Sequence, residues 1–144
     1  MAGYSGTPLA GKLGIKAGSR LYVRNAPANY DELLAPLPEG VTRASKVDAA
    51  TQILHLFVTR RADLHTALSA ASGRVADDAA IWISWPKKSS RVPTDIVEDT
   101  IRAEAFPLGL VDIKVCAVDE VWSGLKLVRR KQLRAATKKK GARR

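Results

Sequence analysis

Two lysines and two hydroxyls in succession, Lys87, Lys88, Ser89 and Ser90, follow an apolar run that ends in Trp85 and Pro86. Ammonium groups and hydroxyls suit an anion, and a helix pattern starting near Thr94 and Asp95 adds free backbone N–H groups and a positive dipole end. In an open α/β sheet, ligands bind outside the carboxyl ends of the strands. Asn25 after the first strand pattern, and Arg60 and Arg61 after the third, open onto that same edge, so a basic rim is expected there. The plainer reading makes Lys87 and Lys88 a solvated loop, Asp95 a helix cap and the tryptophans packing residues.

A second cluster, Asp119, Glu120 and Trp122, precedes Gly124. An indole beside paired acids at a hairpin tip is a candidate anchor for a protein partner, because tryptophan dominates many interface hot spots. Alternatively Trp122 covers the end of the core and Gly124 supplies turn geometry. Adjacent residues in a strand face opposite sides, which argues against an acid and base pair at Asp119 and Glu120.

The third cluster is electrostatic. The net charge is +10, yet from Arg129 onward nine bases meet no acid, leaving fifteen bases and fourteen acids before that point. Residues 131–144 read as a disordered basic tail, since the block cannot bury apolar area. Lys138, Lys139, Lys140, Arg143 and Arg144 are its nucleic-acid candidates, with binding expected to be nonspecific and salt-dependent. No aromatic residue interleaves the tail, so it offers no base-stacking platform.

Other chemistry is scarce. His55 and His65 stand in no HxH, HxxxH or CxxC spacing, so no metal site is expected, and no G-x-S-x-G elbow or P-loop appears. Cys116 has no second cysteine to pair with and sits in an apolar run, where it reads as a small buried hydrophobe. The first residues hold Gly3, Gly6, Pro8 and Gly11 and no continuous apolar stretch, so neither a secretory signal nor a membrane span is expected. A cytoplasmic protein follows as the expectation.

The elements that would position these residues are legible as apolar patterns. Strands are expected over 20–24, 41–45, 53–58, 80–85, 112–118 and 125–130, and helices over 30–35, 62–71 and 95–106. Strands alternating with helices argue for a mainly parallel sheet covered on both faces. Residues 119–124 allow a closing antiparallel hairpin but not a crossover. The link 46–52 is shorter than a parallel crossover normally needs, so 41–45 is either a marginal edge strand or loop. A length of 144 residues fits one domain, placed at 1–130.

The stretch 13–20 is similar to the approach to the first strand of Rossmann-like methyltransferases, and 53–58 to their strand beside the topological switch point. That resemblance implies a three-layer α/β fold with sheet order 2-1-3-4-6-5 and the last strand antiparallel. It also implies a glycine-rich turn after the first strand for the cofactor's amino acid moiety, and an acid ending the second strand for its ribose hydroxyls. Asn25, Ala26, Pro27, Ala28 and Asn29 occupy the first place and Ser45 and Lys46 the second. More closely, residues 2–9, 85–89, 109–120 and 122–126 resemble a bacterial family, domain-of-unknown-function family 3052, which brings no established activity. The expectation is a noncatalytic binding or scaffold domain with a degenerate methyltransferase-like fold, without a cofactor and with a protein partner. The alternatives are nucleic-acid binding through the tail, and an enzyme dependent on S-adenosylmethionine or a nucleotide.

Overall fold

The computed structural model describes residues 8–130. Six strands, β1 (Arg20–Arg24), β2 (Thr42–Arg43), β3 (Ile53–Phe57), β4 (Ala80–Pro86), β5 (Leu110–Ala117) and β6 (Trp122–Arg129), form one sheet. Its order is β2-β1-β3-β4-β6-β5, with β6 antiparallel to both neighbours and the other neighbouring pairs parallel. This is the order and the antiparallel last strand expected above. The basic tail at 131–144 lies outside the described residues.

Helices α1 (Leu9–Leu13) and α2 (Tyr30–Leu34) pack on one face, and α3 (Arg61–Ala71) and α4 (Glu98–Ala105) on the other. The two central strands explain this sandwich. Every residue of β3 and of β4 is buried, so both faces of both strands need cover. Alternation then sorts the side chains: Ile53, Phe57 and Trp82 go to the α1/α2 core, while Leu54, Leu56, Ile81, Ile83 and Trp85 join the α3/α4 core. The two five-residue helices are too short to stand alone and depend on that packing.

Two of the boundaries that differ from the sequence reading bear on the candidate sites. Helix α4 begins at Glu98 rather than 95, because the Asp95 carboxylate is used elsewhere. Strand β6 begins at Trp122 rather than 125, so Trp122 opens a strand opposite Pro86. Gly124 lies within that strand, opposite Ser84 and Cys116, and supplies no turn. Its role is close approach: an added Cβ would stand 3.3 Å from the Trp82 ring and 3.4 Å from the Cys116 sulfur.

The doubtful segment 41–45 contains a real but minimal edge strand, two residues paired in parallel with β1. From its end the chain crosses β1 to reach β3 with no helix. The link is tied at its start by Ala44 N–H to the Leu21 carbonyl and at its end by Gln52 N–H to the Arg20 carbonyl.

Candidate functional site

At the carboxyl edge, β1 ends in Arg24, and Asn25 takes a left-handed turn (φ 59°) to lead into α2. Asn is among the few non-glycine residues that tolerate this conformation. After β3, Arg60 precedes α3 and is exposed. The Arg61 N–H donates to the Asp95 carboxylate at 2.7 Å, so the chain's own carboxylate already occupies the start of α3. The Arg61 side chain also donates to Glu104 at 2.7 Å. Arg61 and His65, at 2.7 Å from the other oxygen, hold the Glu104 carboxyl below its usual range. Arg61 is therefore a compensated charge, whereas Arg60 makes no ion pair among the described residues.

Strand β4 delivers Lys87 and Lys88 together. The Lys87 N–H donates to the Val121 carbonyl at 2.7 Å, and a single turn, Lys88–Ser90, follows. Ser90 spends its hydroxyl inside this turn, donating to the Lys87 carbonyl and accepting from the Val92 N–H. Ser89 and Lys88 are exposed and Lys87 is half-buried. Thr94 donates to the Thr59 carbonyl at 2.6 Å and accepts from the Ile96 N–H, pinning the returning loop over the start of α3.

Between this turn and α4 lies an open groove of 560 Å³. Trp85 and Ile96 line it, with Lys87 and Lys88 on one side and Glu98, Asp99 and Arg102 from α4. The acids sit in the first turn of α4, where they complement its dipole. Arg102 donates to Glu98, Asp99 and Asp112, and these hydrogen bonds, the Asp112 one foremost, push its pKa up. The groove therefore carries both signs of charge, with Lys87 and Lys88 following β4 and Glu98, Asp99 and Arg102 on α4.

The hairpin cluster separates into its members. The Asp119 carboxylate accepts the N–H groups of Val121 and Trp122, both at 2.8 Å, and so builds the turn itself. Trp122 is half-buried and stands edge-on to Phe57 at 5.1 Å, while Glu120 is exposed. The tail candidates Lys138, Lys139, Lys140, Arg143 and Arg144 lie outside the described residues.

Sequence reasoning missed one polar chain. Tyr30 Oη lies 2.8 Å from His55 Nδ1, and His55 Nε2 lies 2.8 Å from Ser84 Oγ. A serine beside an imidazole is the start of a nucleophile–base pair, but all three side chains are buried and no substrate can reach them. Burial holds the His55 pKa down to about 3 and pushes that of Tyr30 up. The chain is a satisfied polar tie between α2, β3 and β4. Cys116 is half-buried, and burial raises its thiol pKa. Among the described residues no group of three His, Cys, Asp or Glu side chains is placed to hold a metal, and no helix is long and apolar enough to cross a membrane.

A family described as "Protein of unknown function (DUF3052)" matches residues 38–131, well over half of the chain. No curated protein matches it. Among solved structures, a proposed type 11 methyltransferase from Sulfolobus solfataricus is 14% identical with TM-score 0.54, over 85% of this chain and 90% of that one. The m1A22 tRNA methyltransferase TrmK of B. subtilis is 9% identical with TM-score 0.53, over 90% and 68%. Fibrillarin from Aeropyrum pernix, in complex with S-adenosyl-L-methionine, is 14% identical with TM-score 0.50, over 88% and 71%. At these identities the likeness is one of fold, a methyltransferase-type α/β sheet.

Proposed function

The chain belongs to the DUF3052 family, and we propose that it is a noncatalytic protein-binding domain built on a methyltransferase-like fold. The observation that carries this reading is the two-sign groove beside β4. Lys87 and Lys88 on one wall and, on the other, Glu98 and Asp99 paired with Arg102, the Asp99 side chain still exposed, complement a polypeptide segment bearing both charges, and electrostatic complementarity of this kind selects partners and fixes register. The exposed Val97 gives such a segment an apolar contact at the rim. The lack of any glycine between Arg24 and Tyr30 supports a binding role over S-adenosylmethionine chemistry. Residues 1–130 form the binding domain, and a bacterial cytoplasm is the proposed setting.

The test is a pulldown from the native cell, run with and without nuclease, with three baits: the full chain, Lys87→Glu with Lys88→Glu, and a chain ending at Arg130. A protein recovered by the first and third baits and reduced about tenfold on the second supports the groove as the interface. Recovery that depends on residues 131–144 and vanishes with nuclease transfers the function to the tail. Saturable, stabilising binding of S-adenosylmethionine would overturn the noncatalytic reading.

A further inference from the structure

On the α3 side of the sheet, the helix-free link between β2 and β3 leaves part of β1 without a helix over it. The result is a second groove, of 310 Å³, which shares no lining residue with the one beside β4. Tyr22 of β1 and Leu56 of β3 line it from the sheet, Ala67, Ala70 and Ala71 from α3, and Val47 from the link. An aromatic ring facing small side chains makes a slot for something flat.

Three cations line the same groove: Arg24 at the end of β1, Lys46 in the link and Arg74 just beyond α3. Among the described residues none of them makes an ion pair. Among the described residues no carboxylate lines the groove, and Asp48, next to Val47, is committed to Arg20. The chain thus gathers three uncompensated positive charges beside an apolar slot, where an anion would relieve their mutual repulsion. The volume is at the lower end for small-molecule sites, which fits one ring system and one anionic group rather than a dinucleotide.

We propose that this groove binds a small phosphate ester carrying a flat ring, of the nucleoside 5′-monophosphate class, with the ring on Tyr22 and the phosphate held by Arg24, Lys46 and Arg74. The site is independent of the groove proposed for a protein partner, and either can fail without the other.

The experiment is calorimetry with amide NMR on the full chain, titrating adenosine 5′-monophosphate, phenyl phosphate, adenosine and inorganic phosphate. The expected result is saturable binding of adenosine 5′-monophosphate, with shifts centred on Tyr22, Val47, Ala70 and Ala71. Adenosine and phosphate alone should each bind at least about tenfold more weakly. Equal binding of phenyl phosphate keeps the site and assigns it to aryl phosphates at large. Lys46→Gln with Arg74→Gln, both at exposed positions, should weaken binding about tenfold at unchanged melting temperature. Ala70→Glu, which places a carboxylate in the slot from an exposed helix position, should abolish it. No saturation by either phosphate ester below about 1 mM overturns the proposal, as do shifts centred on Lys87 and Lys88 or affinity unchanged in the variants.

Discussion

The two faces of β1 meet opposite surroundings. Toward α1 and α2, Leu21 is fully buried in a core with Leu13, Tyr30, Phe57 and Trp82, and even the polar atoms of Tyr30 and His55 are paired. Toward α3, Tyr22 and Arg24 border an open groove. The same five residues serve both environments because strand alternation assigns Leu21 and Val23 to one and Tyr22 and Arg24 to the other. The lesson is topological. Omitting a helix from one crossover leaves the sheet intact and opens part of a strand face beside the strand tips.

The largest expected effect tests whether the sealed face is as tight as its packing. Trp82 is fully buried, donates its indole N–H to the Leu13 carbonyl at 3.0 Å and covers Gly124. Trp82→Ala should cost about 3–5 kcal/mol in urea unfolding, since it combines a large cavity with an orphaned carbonyl. On the open face Tyr22→Ala should cost only about 1 kcal/mol, because half-buried apolar surface contributes less. Equal costs would mean that the groove is closed in solution and that the contrast fails.

An intermediate effect separates the faces by pH. An unfolded chain protonates His55 near pH 6.5, whereas the sealed site holds its pKa to about 3. Between these values the unfolded state binds more protons, so stability is fully present above pH 6.5 and falls as the pH drops toward 3, by up to a few kcal/mol. His55→Gln removes the titration, and its stability between pH 7 and pH 5 should be flatter than that of the parent. A parallel decline in both would show that water reaches the Tyr30–His55–Ser84 chain.

How much of this was legible in the sequence follows from the range of each interaction. Strand β1 and the buried runs of β3 and β4 were readable because apolar pattern and β-branched content act locally. Segment 41–45 was readable as marginal because its onward link was too short for a helix. The start of β6 was misplaced because Ser123 and Gly124 are turn formers, whereas the Asp119 carboxylate makes the turn. Asp95 signalled a helix start, but its partner is Arg61, in a different helix 34 residues away. The polar chain and the groove beside β1 join residues that are neighbours only after folding, whereas the groove beside β4 is lined, Ser123 apart, by residues within 85–102, the stretch whose lysines and helix start the sequence displays.

The smallest effect asks whether the helix bordering the open face is set locally or from a distance. Glu104 of α4 clasps Arg61 and His65, near the amino end of α3, while the groove uses Thr66, Ala67, Ala70 and Ala71 farther along. The Arg61 hydrogen bond, then that of His65, lowers the Glu104 pKa. Its contribution is therefore present above the ordinary glutamate value and is lost as the pH falls through the lower folded one. Arg61 and His65 are more than half exposed, so Glu104→Gln should cost only about 0.5 kcal/mol, and less at high salt. Because the α3 core residues Leu64, Ala67, Leu68 and Ala71 hold the helix without the clasp, the affinity of the groove for adenosine 5′-monophosphate should not change. A shift in that affinity upon Glu104→Gln would mean that α3 moves as a lever between the clasp and the groove, so that the open face is set by the α4 side of the molecule as much as by the helix-free link.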